Sequence, residues 1–269
     1  MLRRCILFIL LIFMILNLAG IFLYAPRAKW TGPGVVVYLK SGEKIKGKIV
    51  EEMDESILIK LAIGNEIIFH KEEISRIEYI GDIQRIFYFH VPLAWTMFLS
   101  FFLTFIFSII FLFKKEEKWD IYAFSSAEVG ILFATLAIIT GSLWAKPAWG
   151  AFWTWDPRLT TMLTLWFIFV GYLILRNFVE EPELKARLSA VIGIIGFIDV
   201  PFVFLSVRLW RSLHPVVIEG TIKQKFALNP SMLKVFLFSL FVFTLLCLFL
   251  ISERVRIERI SKNIEFLKR

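Results

Sequence analysis

Six runs of about twenty mostly apolar residues constrain this chain more than any other feature, because a run of that length matches the thickness of a bilayer. A hydrocarbon core of ~30 Å takes about 20 residues at 1.5 Å each. The runs cover roughly residues 6–24, 87–113, 121–144, 159–175, 188–209 and 232–251. Lipid offers backbone amides no hydrogen-bond partner, so each run must satisfy its own as a helix. The sequence therefore predicts an all-α membrane protein, a six-helix transmembrane bundle. Composition agrees: 58% of residues are hydrophobic and 20% charged, with 29 Phe and 9 Trp. A soluble domain is less apolar and more charged. Residues 1–25 are read as the first transmembrane helix. Its apolar run exceeds the 7–15 residues of a signal-peptide core, which argues for a retained anchor rather than a cleaved leader.

The net charge of +8 invites a nucleic-acid reading, but the basic residues mostly flank the apolar runs. There they act as topology signals and contacts for anionic lipid. Alternate connecting segments carry fourteen Lys and Arg on one side and six on the other, leaving aside the long segment after the first run. Positive residues stay inside. Both termini, including a basic tail at 253–269, are thus expected in the cytoplasm of a multi-pass protein of the inner or plasma membrane. Segments 26–86, 145–158 and 208–230 are expected outside. Cys5 and Cys247 lie within apolar runs and no CxxC pair occurs, which points to packing rather than to thiol or zinc chemistry.

Residues 33–80 depart from the helical pattern. Val35 to Leu39 is a β-type run, and Lys44 to Val50 alternates polar with apolar. Further short runs follow at Ile57 to Ile59, Ile67 to Phe69 and Ile74 to Ile80, separated by turn residues such as Ser41-Gly42 and Gly64-Asn65. Four or five short strands predict an inserted small all-β extramembrane domain, SH3-like or Sm-like. His70 is expected on its solvated surface. Sm-like barrels can bind RNA, but the expected outward placement argues against that here and leaves docking of a partner protein as the role expected of the domain.

The densest chemical signal is the stretch 144–160, where Trp144, Trp149, Trp153 and Trp155 fall within twelve residues. An interfacial aromatic belt explains one or two Trp at a helix end, not a cluster braced by Pro147, Gly150 and Pro157. Large flat indoles suit a planar macrocycle. Asp156-Pro157 also reads as a helix start, with Asp at the N-cap and Pro at the first helical position.

Two of the three histidines are expected at the same membrane level as this cluster. His90 begins the second run, and His214 follows the fifth. Two imidazoles can fill both axial positions of a haem iron. Arg85, Lys146, Arg158, Arg208 and Arg211 are outward cations that could pair with haem propionates or with lipid headgroups. Glu128 and Asp199 lie within apolar runs, where carboxylates turn inward and either pair with a cation or stay protonated.

Four stretches resemble the CcmC family of haem-handling proteins in cytochrome c biogenesis. They are Arg85-Ile86-Phe87-Tyr88-Phe89-His90-Val91-Pro92, Thr140-Gly141-Ser142-Leu143-Trp144, the segment from Trp149 to Thr160, and Val200-Pro201 with Ser206 to His214. The resemblance covers the six runs. It implies haem b with bis-histidine axial ligation by His90 and His214. It implies a haem-binding, chaperone-facing loop of Trp149, Trp153, Trp155 and Asp156, with Arg85, Arg158, Arg208 and Arg211 beside it. It implies delivery of haem at the outer face to a chaperone of CcmE type, with ABC transporter subunits of CcmA and CcmB type and a small CcmD-like subunit as partners. No enzyme activity is implied. Residues 81–252 would be the haem-handling domain. Phe152 stands where the family usually has Trp, Asp199 where it has Asn or a neutral residue, and the β-rich segment lies outside the usual pattern. The loop is also similar to that of the related CcsA/ResC proteins and of CcmF within the wider Trp-rich-loop group, but Arg158-Leu159-Thr160 favours CcmC. A membrane electron-transfer cytochrome and a transporter of another solute are the alternative readings.

Overall fold

The computed structural model describes residues 2–24, 35–61, 64–79, 84–210, 212, 214 and 230–268. Six of its helices are long and apolar enough to cross a membrane. They are α1 (Leu2–Ala19, prolonged by a π-helical turn Gly20–Tyr24), α2 (Phe87–Lys114), α3 (Glu117–Trp149), α4 (Pro157–Phe178), α5 (Pro182–Leu209) and α6 (Pro230–Lys268). The chain is a multi-pass membrane protein of mostly helical fold.

The bundle is built on the pairing of α2 with α3, and α4 packs chiefly on α5. The α2–α3 seam is made of small residues. On α2, Thr96, Ser100, Thr104 and Ser108 recur every fourth position and are fully buried. Thr96, Ser100 and Thr104 hydroxyls donate back to carbonyls of their own helix, at Pro92, Thr96 and Ser100. They therefore cost little in an apolar interior. On α3, Ala123, Ala127, Gly130, Ala134, Ala137 and Gly141 follow a four-three spacing along one face. Small side chains let helix backbones approach closely where no hydrophobic effect drives association in lipid. The fit is tight: a Cβ on Gly130 would lie 2.5 Å from the ring of Phe101. That ring stacks on Phe169 of α4 at 3.7 Å between centroids, which joins the second pair to the first.

The two outer helices attach through specific contacts. Ser239 of α6 donates to Asn17 of α1 at 2.7 Å, both buried. Arg3 pairs with Glu253, fastening the start of α1 to α6. Much of the rest of α1 is exposed apolar surface, including Phe8, Ile15 and Leu16, as a lipid-facing helix requires. Cys5 is exposed on it, whereas Cys247 is buried within 3.2 Å of Ser100.

Opposite the Trp-rich end, charges are neutralised inside the bundle. Arg176 of α4 makes a bidentate bond to Asp120 of α3 at 2.6 and 2.9 Å, and its guanidinium lies 4.3 Å over the ring of Phe124. Glu128 pairs with Arg254 of α6. Asp199 of α5 keeps one buried oxygen without a hydrogen-bond partner among the described residues.

Residues 35–61 and 64–79 form a five-stranded antiparallel sheet. Its strands are β1 (Val35–Leu39), β2 (Lys44–Glu52), β3 (Ser56–Leu61), β4 (Glu66–His70) and β5 (Ile74–Tyr79), in the spatial order β4-β3-β2-β1-β5. A 3₁₀ turn, Lys71–Glu73, leads into β5. Val35, Val37, Ile57, Ile59 and Phe69 alternate onto one buried face and make a separate core. His70 is exposed at the end of β4.

The Asp120–Arg176 pair sets the first expected outcome. Removing one partner leaves a buried charge uncompensated, so Asp120→Ala should destabilise the protein by about 3–5 kcal/mol. Thermal unfolding in detergent measures this. A melting temperature equal to that of the wild type would show that the pair does not hold α3 to α4.

Candidate functional site

The site forms where α2, α3, α4 and the segment after α5 meet. Its first component is the top of the small-residue seam. His90 lies in the first turn of α2, against α3, with Nδ1 3.1 Å from the carbonyl of Ala137 and 3.2 Å from Oγ1 of Thr140. A carbonyl can only accept, so Nδ1 is the protonated nitrogen of the ring. Nε2 then carries the lone pair, and it makes no hydrogen bond among the described residues. The ring rests on Gly141: a Cβ there would come within 2.9 Å of His90 Cε1. Trp144, one turn further along α3, meets His90 edge-on at 5.9 Å.

The helix α3 runs to Trp149, five residues beyond the apolar run at 121–144, through Pro147. Trp144 and Trp149 are therefore helical, and the turn proper is confined to residues 150–156. Gly150 ends the helix with φ +85°, a left-handed conformation that costs glycine least, and its N–H reaches the carbonyl of Lys146. Lys146 closes the same turn, donating to the Gly150 carbonyl at 3.0 Å. Its ammonium also lies 5.2 Å over Phe152.

The second component is the start of α4. Asp156 is the N-cap, accepting from the N–H of Arg158 at 2.9 Å, with Pro157 at the first helical position. Its own carbonyl receives both the N–H and the hydroxyl of Thr160. The carboxylate does more than cap. Oδ1 also accepts from the hydroxyl of Ser212 at 2.9 Å, and Ser212 Oγ in turn accepts the N–H of His214 at 3.1 Å. The ring of His214 faces Trp149 at 6.4 Å. Trp153 and Trp155 meet edge to face at 6.0 Å. Trp155 is 77% exposed and Phe152 55%, so the turn offers an open aromatic surface.

The residues expected from sequence thus fall into groups. His90 comes together with Trp144, and His214 with Trp149 and Asp156. Arg158, on the first turn of α4, places its guanidinium 6.0 Å over Phe204. Arg85 stands 5.4 Å over Phe22, at the end of α1. Arg208 is exposed on the last turn of α5. Arg211 lies outside the described residues, as does the whole segment 215–229. Sequence reasoning assigned no role to Thr140, Gly141 or Ser212. Gly141 had a readable signal, since it closes the four-three run of small residues on α3, and Thr140 stands beside it in the stretch Thr140 to Trp144 that resembles the family. Ser212 had none.

No group of three or more His, Cys, Asp or Glu could hold a bare metal ion among the described residues. A haem iron asks the protein for fewer ligands, since the porphyrin supplies four, and two imidazoles complete its coordination.

Comparison with known proteins decides the family. The family described as "Heme exporter protein C" matches residues 45–268, from within β2 to the end of α6. This chain belongs to that CcmC family. Among its relatives is a "Heme exporter protein C" of Bradyrhizobium diazoefficiens, 31% identical over 206 residues that make up 75% of this chain and 77% of that protein. Another, from Escherichia coli K12, is 32% identical over 177 residues, 65% of this chain and 70% of its own. A cytochrome c biosynthesis ccmC-like mitochondrial protein of Marchantia polymorpha is 37% identical over 134 residues, and the match spans 56% of its length and 50% of this chain. Membership supports a role in haem handling for cytochrome c biogenesis.

Asp156 is open to a direct check. Asp156→Ala removes the α4 cap, which is worth about 1 kcal/mol, and breaks the link to Ser212. Asp156→Asn retains an acceptor oxygen and should keep most of the cap. Thermal unfolding should rank wild type, then Asn, then Ala. A ranking with Asn at or below Ala would contradict the hydrogen-bond account.

Proposed function

We propose that this chain binds haem b at the outer face of the membrane and delivers it to an extracytoplasmic haem chaperone of CcmE type. His90 and His214 supply the two axial imidazoles. Trp149, Trp153 and Trp155 line the macrocycle, and Asp156 fixes the turn that carries them. Arg158, Arg85 and Arg208 are the cations proposed for the propionates. The observation that carries this reading is the convergence of both histidines on one end of α3, one beside Trp144 and the other beside Trp149. The protonation of His90 at Nδ1 supports it further, because a ligating histidine typically donates its other N–H to a carbonyl or carboxylate.

The charge asymmetry of the connecting segments supports cytoplasmic termini and an outward Trp-rich turn. ABC transporter subunits of CcmA and CcmB type and a small CcmD-like subunit are the proposed partners, carried over from the family. We read the sheet of residues 35–79 as a small SH3-like or Sm-like barrel. Its support is the order in which β1 lies between β2 and β5, with a 3₁₀ turn before β5.

The visible spectrum of detergent-purified protein, oxidised and reduced, tests the proposal. The wild type should show a low-spin bis-imidazole haem, and the double variant His90→Ala/His214→Ala should lose it. A chain that takes up no added haem, or a double variant with an unchanged spectrum, would refute the assignment.

A further inference from the structure

The two histidines are positioned by different parts of the molecule. His90 is set through its ring, by Ala137, Thr140 and Gly141, on the buried seam between α2 and α3. That seam is lined by fully buried small residues such as Ser100, Thr104, Ala127 and Ala134. The N–H of His214 enters a relay that ends on the Trp-rich turn: His214 N–H to Ser212 Oγ, and Ser212 Oγ–H to Asp156 Oδ1. Asp156 is the last residue of that turn and is buried, while Trp155 beside it is largely exposed. A partner that engages Trp155 therefore acts on the residue adjoining the acceptor of the relay.

We infer that Asp156 and Ser212 are positioning residues that make His214 the exchangeable haem ligand, coupling engagement of the Trp-rich turn to its release while His90 holds on. This rests on the haem-binding reading above and names which of its two ligands yields. Ser212 is the informative position, because changing Asp156 also removes the cap of α4. A hydrogen bond to a carboxylate is among the stronger neutral-to-charged contacts, so its loss should be visible in kinetics.

The test uses the full-length protein in detergent, loaded with haem, and follows transfer of haem to excess apomyoglobin by absorbance. Ser212→Ala should release haem about tenfold faster than the wild type. Its ferric spectrum should gain a high-spin component, because the His214 bond is weakened. Ser212→Thr, which keeps the hydroxyl, should restore both rate and spectrum. In a His214→Ala background, Ser212→Ala should have no further effect, since the two act on the same bond. Release by Ser212→Ala at the wild-type rate would overturn the inference. So would an equal acceleration in the His214→Ala background, which would assign Ser212 a general structural role. Normal loading by the wild type with either of these results leaves the haem-binding reading standing and removes only the relay. A wild-type chain that binds no haem would overturn both.

Discussion

The close approach of α2 to α3 is the constraint on which the rest of the structure depends. In lipid, apolar side chains gain nothing by leaving the solvent, so helices associate where their shapes allow close contact and where polar groups find partners. The row of Ala and Gly on α3 and the Ser/Thr row of α2 provide both. The seam closes at Gly141, whose missing side chain makes the space that the His90 ring occupies. The position of the first candidate ligand is therefore a consequence of backbone separation along the whole helix pair, not of a local loop.

The second candidate ligand is placed by a different device. α4 must begin somewhere, and its N-terminal amides need an acceptor. Asp156 meets that need and has a second lone-pair direction left for Ser212. A single carboxylate thus joins helix initiation, the turn that carries Trp153 and Trp155, and the segment that carries His214. This explains why an Asp-Pro pair that serves as a plain helix start also sits at the centre of the site. At the far end of the bundle, Asp120–Arg176 and Glu128–Arg254 neutralise charges that would otherwise oppose insertion of α3, α4 and α6.

Most of the helical architecture was legible in the sequence, because runs of about twenty apolar residues leave few alternatives. The β segment was legible from its period-two pattern, and its order of strands was not, because pairing depends on contacts remote in the chain. The extent of α3 was misjudged for a physical reason. Pro147 and Gly150 read as turn residues, yet Pro147 is accommodated within the last turn of the helix and only Gly150 ends it. Trp149 consequently stands on a helix, where it faces His214. Glu128 could be foreseen as paired or protonated, and it is paired. Its partner, Arg254, lies on a helix far away in sequence, as does Arg176 for Asp120. The relay through Ser212 was hidden for the same reason, since nothing in the sequence near residue 212 announces a bond to residue 156.

The most direct test of the account is the haem spectrum of Gly141→Ala. This change adds one methyl group to a helical residue that touches neither the Trp-rich turn nor His214 in any described contact. It would place a carbon 2.9 Å from His90 Cε1 and must displace the ring. The account predicts a folded protein with an unchanged melting profile that loses low-spin haem, as His90 is pushed out of reach of the iron. A folded Gly141→Ala protein with the wild-type low-spin spectrum would contradict the claim that the α2–α3 seam positions the haem ligand.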